Sequence, residues 1–214
     1  MTPDKLRIVA FDCDGVMFDS RQANRAFYNA ILEHLGLAPL RSRQMEKVQM
    51  LTVDQALAYL IDDPDALREA VRYKARLDYL EFVSLLEIEP YLKPLLAALR
   101  PAYRTAVATN RTNTMEAVLR RYGLEDCFDL VVTAWDVEKP KPHPEALEKI
   151  LAAFGCRPDQ MLFVGDSGVD QEAARAAGVW FAAYRNQALE AHVHLSGLDQ
   201  VADMLGLCLD TGSA

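Results

Sequence analysis

Ile8-Val9-Ala10-Phe11-Asp12-Cys13-Asp14-Gly15-Val16 is the stretch on which the reading of the chain turns. An apolar run ends in two carboxylates one residue apart, and a glycine follows. Such a run reads as a short buried strand. Alternate side chains of a strand share a face, so Asp12 and Asp14 can lean the same way. Two like charges ~4 Å apart repel by about 4 kcal/mol at an effective dielectric of about 20. Either a positive group sits beside them, or one carboxyl keeps its proton, or the strand simply runs out into a solvated acidic turn. The stretch alone leaves these readings open.

The composition sets limits on the whole. A chain of 214 residues suits one sizeable domain, or one domain with a small insert. With 51% hydrophobic and 25% charged residues it reads as an ordinary globular protein able to support a packed core. A formal net charge of -8 argues against broad binding to nucleic acid or to an anionic membrane, though not against a small anionic substrate held by a local lysine or metal. Cys13, Cys127, Cys156 and Cys208 are scattered without zinc-ligand or redox spacing, as expected for reduced thiols in a cytoplasmic protein. Cys13 lies between two aspartates, where a thiolate is disfavoured, so it is not read as a nucleophile. Neither a signal-peptide core nor a membrane-length apolar run is expected.

Along the chain, residues 6–11 read as the first strand. Asp19 or Ser20 can cap a helix reaching residue 35, with Phe27, Ala30, Ile31, His34 and Leu35 as its apolar stripe and Gly36 as its stop. His34, beside that stripe, reads as a packed histidine. Residues 42–86 keep a helical pattern. Thr52 with Gln55 resembles a capping box, and Asp63-Pro64 opens a longer helix with Leu67, Val71, Leu77 and Leu80 on one side. After Pro90 short apolar strands (104–109, 129–133, 161–165, 179–184) alternate with helices (91–99, 112–122, 144–154, 169–177, 197–205). This alternation implies an α/β fold, a Rossmann-like parallel sheet with helices on both faces. The economical architecture is a core of residues 1–18 and 88–214 with an all-helical insert at 19–87.

In open α/β sheets ligands bind beyond the carboxyl ends of the strands. Asp12 and Asp14 follow the first strand, and Thr109 and Asn110 the second. Lys139-Pro140-Lys141-Pro142-His143-Pro144 lies beyond the third, and Gly165-Asp166-Ser167-Gly168-Val169-Asp170 beyond the fourth. Oxygen donors without His or Cys suit a hard cation, Mg²⁺ first among them. A carboxylate so placed can attack phosphorus in line, while a hydroxyl, backbone N–H groups and a lysine balance charge on the equatorial oxygens. A second carboxyl can protonate the leaving oxygen and then activate water.

These motifs resemble the haloacid dehalogenase superfamily of phosphohydrolases, in the branch whose helical cap is inserted after the first strand. The residues that carry the resemblance are Asp12-x-Asp14-Gly15-Val16 with Asp19-Ser20, Thr109-Asn110, Lys141-Pro142-x-Pro144, Gly165-Asp166-Ser167-x-x-Asp170, and Ala173-Ala174-x-x-Ala177-Gly178. The resemblance implies Asp12 as nucleophile and Mg²⁺ ligand. It implies Asp14 as general acid/base, with its backbone carbonyl on the metal. Thr109, helped by the Asn110 backbone, would hold the phosphoryl group, and Lys141 would pair with it and with Asp12. Asp166 would be a metal ligand, and Asp170 a ligand or an orienting neighbour. Lys139 also fits the lysine motif; the distance to Asp166 and the helix start at Pro144 favour Lys141, leaving Lys139 a solvated loop charge. His143 reads as a loop residue and Ser167 as support for the acidic loop. Arg111 extends the phosphate site, caps the next helix or faces solvent.

The activity implied is a Mg²⁺-dependent phosphatase acting on a small phosphorylated metabolite, phosphoglycolate phosphatase-like in one version. A sugar-phosphate mutase of the same fold is the competing enzyme reading, lowered by Val53 where such mutases present an arginine. A phosphate-binding or interaction module is the non-enzymatic one. Arg21, Arg43 and Lys47 are the first candidates in the insert for contacts that set specificity. Monomer and homodimer stay equally open.

Overall fold

The computed structural model describes residues 5–210. Its centre is β1 (Ile8–Phe11), in which every residue is buried. Parallel partners lie on both sides, β4 (Arg104–Ala108) on one and β6 (Met161–Gly165) on the other. The six-stranded sheet runs β5-β4-β1-β6-β7-β8, with β5 at Leu130–Val132, β7 at Trp180–Tyr184 and β8 at Val193–Leu195, and every pairing in it is parallel.

Strand periodicity divides the core into two layers. Val9, Phe11, Val107, Leu162 and Val164 face one layer with α6 (Leu92–Leu99), α7 (Met115–Tyr122) and α10 (Asp199–Leu205). Ile8, Ala10, Ala106, Ala108, Met161 and Phe163 face the other, with α8 (Glu145–Phe154) and α9 (Gly168–Ala177). Both faces being covered explains the continuous apolar runs in these strands. The chain leaves β1 for β4 on one side and β6 on the other, so the crevice where strand order reverses lies at the end of β1, beside Asp12.

Between β1 and β4 come α1 (Arg21–His34), α2 (Ser42–Val48), α3 (Val53–Leu60), α4 (Pro64–Lys74) and α5 (Leu80–Val83). They share a separate apolar cluster that includes Phe27, Ile31, Leu32, Met45, Leu57 and Ala70. The chain enters and leaves this segment through a two-stranded antiparallel pair, β2 (Phe18–Asp19) with β3 (Glu87–Ile88). The Tyr122 hydroxyl donates to the Leu86 carbonyl at 2.5 Å, fastening the return to α7.

Local capping follows the sequence signals. Thr52 Oγ1 accepts from Gln55 N–H, while Gln55 Oε1 accepts from Thr52 N–H. Asp63 accepts from the N–H groups of Asp65 and Ala66. Ser20 occupies the cap position of α1 without a side-chain cap bond, and Asp19 Oδ1 accepts from Arg21 N–H instead.

Several expectations are corrected. The face of α1 that is buried runs through Ala23, Phe27, Tyr28, Ile31 and Leu32, turned away from Ala30 and His34. His34 is exposed at the helix end, where it stacks on Tyr73 and lies 3.2 Å from Glu69. The helix opened by Pro64 stops at Lys74. Asp78 then accepts from Leu80 N–H and starts α5 afresh, a local side-chain bond of the kind that interrupts longer helices. Val71 and Leu80, expected on a packed side, are exposed. The strand β8 and the short β2–β3 pair fall where periodicity gave no signal.

Candidate active site

The four strand-end motifs meet at one place. Asp12 leaves β1, Asp166 leaves β6, and Asp170 sits in the first turn of α9. Their carboxylate oxygens lie within 4.8 Å of one another. Lys141, from the loop between β5 and α8, reaches this group with its ammonium 2.8 Å from Asp12 Oδ1 and 2.6 Å from Asp170 Oδ1. Lys141 and Asp170 are buried, so one cation balances part of a desolvated acidic cluster. Lys139 is exposed.

Two close approaches shape this floor. Gly15 has φ +86°, and a Cβ there would run into the Asp166 carboxylate. Gly165 at the end of β6 lies so near Asp170 that a Cβ would come 2.5 Å from the Asp170 Cβ. Asp170 is held in turn by the Ser167 N–H and hydroxyl, and the Asp166 carbonyl accepts from Asn186 Nδ2.

The electrostatics follow from burial. Desolvation pushes the Asp12 carboxyl upward, Lys141 opposes that push, and Asp170 adds to it. Asp166 is pushed up to about 8, by burial first and then by Asp12 and Asp170. Lys141 is held above the usual lysine range: burial lowers it, but the two aspartates outweigh that. Burial pushes the Cys13 thiol up, which fits its reading as a non-nucleophile. The donor set is three carboxylates, one after β1 and two from the turn of β6 into α9, all oxygen, with excess negative charge over the single lysine. That chemistry fits a hard divalent cation.

Thr109 is buried at the end of β4, and its Oγ1 accepts from Arg111 N–H at 3.1 Å. Asn110 uses its side chain in a way sequence reasoning did not foresee. Its Oδ1 accepts from Lys141 N–H, and its Nδ2 donates to the Lys141 carbonyl, both at 3.0 Å. Nδ2 also lies 3.3 Å from the Met50 carbonyl of the helical segment. Asn110 therefore fixes the lysine loop and touches the segment above it.

Asp14 stands apart from the acidic cluster. Its Oδ1 accepts from Arg111 Nη2 at 2.6 Å. Arg111 is buried, not solvated, and its Nη1 donates to the Tyr79 hydroxyl at 2.8 Å. The guanidinium also lies over the Tyr79 ring, 5.3 Å from its centre. The signal for Arg111 was its place directly after Thr109-Asn110; Tyr79 carried no local signal. A cavity of about 700 Å³ opens above this floor and is roofed by the helical segment. Arg21, Arg43 and Lys47 are not among its lining residues, whereas Lys74 is.

Residues 9–184 match the family of haloacid dehalogenase-like hydrolases. The chain belongs to that family. A HAD-superfamily hydrolase of subfamily IA from Geobacter sulfurreducens superposes with a TM-score of 0.78 at 40% identity, covering 94% of this chain and 97% of that one. A phosphoglycolate phosphatase of Nitrosospira multiformis is 31% identical over 186 residues, 82% of each chain. A pyrophosphatase PpaX of Bacillus cereus is 36% identical over 117 residues, so the match spans about half of that relative (54%) and 52% of this chain. A β-phosphoglucomutase of Clostridium difficile, 15% identical with a TM-score of 0.81, shares the fold. In the haloacid dehalogenase-like hydrolase described here, no helix among the described residues is long and apolar enough to cross a membrane.

Proposed function

We propose that this hydrolase is a Mg²⁺-dependent phosphatase that removes phosphate from a small phosphorylated metabolite through an aspartyl-phosphate at Asp12. The observation that carries the reading is the Asp12 carboxylate beside Lys141, Asp166 and Asp170 on the floor of a roofed cavity. In the first step an Asp12 oxygen attacks phosphorus and the bond to the leaving oxygen breaks, with Asp14 supplying the proton that oxygen takes. In the second step Asp14 takes a proton from water, water attacks phosphorus, and the bond to Asp12 breaks. Thr109 and the neighbouring N–H groups hold the equatorial oxygens, and Lys141 holds Asp12 in place and favours its ionised form against the push of burial. Asp12, Asp166 and the Asp14 backbone carbonyl would hold the cation, with Asp170 as a further ligand or orienting neighbour. When bound, it lowers the repulsion within the cluster and draws charge from the phosphoryl oxygens.

Residues 19–87 act in this reading as a cap over a core of 1–18 and 88–214, the paired β2 and β3 serving as the two crossings. Closure would exclude water from the site. Four free, scattered thiols support a reducing, cytoplasmic setting.

The test is phosphate release from a panel of phosphomonoesters, with 2-phosphoglycolate included because of the Nitrosospira relative. Release should require Mg²⁺ and be abolished by EDTA or by Asp12→Asn. Turnover surviving both changes would refute the mechanism. Isomerised hexose phosphate without released phosphate would establish the mutase instead.

A further inference from the structure

The roof of the cavity differs in chemistry from its floor. Phe27, Val48, Leu51, Val53, Leu77 and Tyr79 supply an apolar wall. The charged side chains that the helical segment contributes are Glu46, Asp54 and Lys74. Lys74 is the only cation among them, and its ammonium lies 2.6 Å from Asp54 Oδ1. The roof therefore presents no unpaired positive charge to a substrate, and Glu46 leaves its sum negative. Below it, Arg111 is already paired with Asp14, and Lys141 with Asp12 and Asp170. At the edge, Trp135 lines the cavity while 67% exposed, the largest apolar side chain so exposed among the described residues. A cavity of about 700 Å³ falls well within the ~300–1,000 Å³ of ordinary ligand sites and is far larger than a two-carbon acid needs.

We infer that the leaving group this enzyme accepts is neutral and substantially apolar, an alcohol or phenol of several carbons, rather than one carrying a carboxylate or a second phosphate. The inference rests on the phosphatase reading and narrows it. Glu46 and Asp54 are exposed at the roof and add only screened repulsion, so an anionic leaving group is disfavoured chiefly because its charge would leave water against the apolar wall without a free cation as partner. An apolar one would cover the wall contributed by Val48, Leu51, Val53 and Leu77 and displace water from it.

Methyl, butyl and hexyl phosphate test this, because the reacting bond stays nearly constant while apolar length grows. Full burial of a methylene is worth about fourfold in kcat/KM, so a total rise of at least tenfold from methyl to hexyl phosphate is expected. Hexyl phosphate should also exceed 2-phosphoglycolate. Asp54→Asn frees Lys74 and should raise the ratio of 2-phosphoglycolate to hexyl phosphate turnover severalfold. A flat or falling series, 2-phosphoglycolate ahead of hexyl phosphate, or an unchanged ratio in Asp54→Asn overturns the inference while leaving the phosphatase reading intact. Absence of Mg²⁺-dependent release from every ester overturns both.

Discussion

The contact between Arg111 and Asp14 offers the sharpest test of the site, because it is buried, short and joins parts of the chain 97 residues apart. At 2.6 Å and an effective dielectric of 20, the attraction between the two charges is roughly 6 kcal/mol before desolvation. Both ions have given up hydration, with side-chain exposures of 6% for Arg111 and 16% for Asp14. Much of that attraction therefore offsets the loss of water. Removing one partner of a buried pair costs about 3–5 kcal/mol. The residual exposure of Asp14 puts Arg111→Met at the lower end, about 3 kcal/mol, which in a protein this size lowers Tm by roughly 6–12 °C.

The assay is a double-mutant cycle in urea. Arg111→Met, Asp14→Asn and the double variant are unfolded in parallel, and the coupling energy is taken from the three differences. A coupling above about 1.5 kcal/mol is expected for a pair in direct contact. A value under about 0.5 kcal/mol, the size found for independent sites, would refute the buried pair. Tyr79→Phe removes only the hydroxyl that accepts from Arg111 and should cost about 1 kcal/mol. The same variant loosens the link between the helical segment and Asp14, so kcat should move while the alkyl-length dependence of KM stays.

Lys141→Met should lower kcat at least a hundredfold, the scale for losing one positioned charge in a catalytic site, whereas Lys139→Met should stay within twofold; steady-state phosphate release decides between them. Gly15→Ala forces a left-handed φ on a residue with a Cβ, at about 1–2 kcal/mol, and drives that Cβ into Asp166, so calorimetric Mg²⁺ affinity should fall more than stability does. Without metal, Asp166 binds its proton more tightly folded, near 8, than its ordinary 3.8. Stability should therefore be fullest below about pH 4 as far as this group is concerned and be lost as pH rises toward 8. Thermal melts in EDTA and in Mg²⁺ should diverge across that window, because the cation replaces the proton; parallel curves would argue against the acidic cluster as its site.

The central features of this fold were legible because they are local. A buried parallel strand must be apolar on both faces, and that requirement writes itself as an uninterrupted run ending where the backbone reaches the crevice. Asp12, Thr109 and Asp166 stand at those ends, so their convergence followed from topology alone. Asp170 was legible for a similar reason, one helical turn beyond a Gly-Asp-Ser turn. What escaped was what depends on distant pairing. Arg111 follows a motif but finds Asp14 and Tyr79 only after folding. Asn110 holds the lysine loop through its side chain, although only its backbone had been given a role. Two-residue strands such as β2 and β3 are too short to show a period. Arg21, Arg43 and Lys47 looked eligible by charge, yet none lines the cavity; Arg21 pairs with Asp19 in solvent. His34 shows that a histidine near an apolar stripe can sit just past its edge.

The two aspartates of the opening stretch thus resolve their repulsion by facing different partners. Asp12 turns into the buried cluster with Lys141, while Asp14 turns toward Arg111, itself bonded to Tyr79 of the helical segment. In the proposed reaction this asymmetry matters more than the shared charge. A nucleophile needs a fixed direction toward phosphorus, which Lys141 and the cluster provide. An acid/base must exchange its proton and so must be able to leave its counter-ion. Because Tyr79 shares Arg111 with Asp14, displacement of the helical segment would change what holds Asp14 and leave the partners of Asp12 in place. Arg111→Lys keeps the charge but loses the fork that reaches both Asp14 and Tyr79. It should therefore spare formation of the aspartyl-phosphate less than Tyr79→Phe does, and rapid-quench measurement of phosphorylated protein in the two variants distinguishes them; equal defects would show that Tyr79 alone sets the position of Asp14.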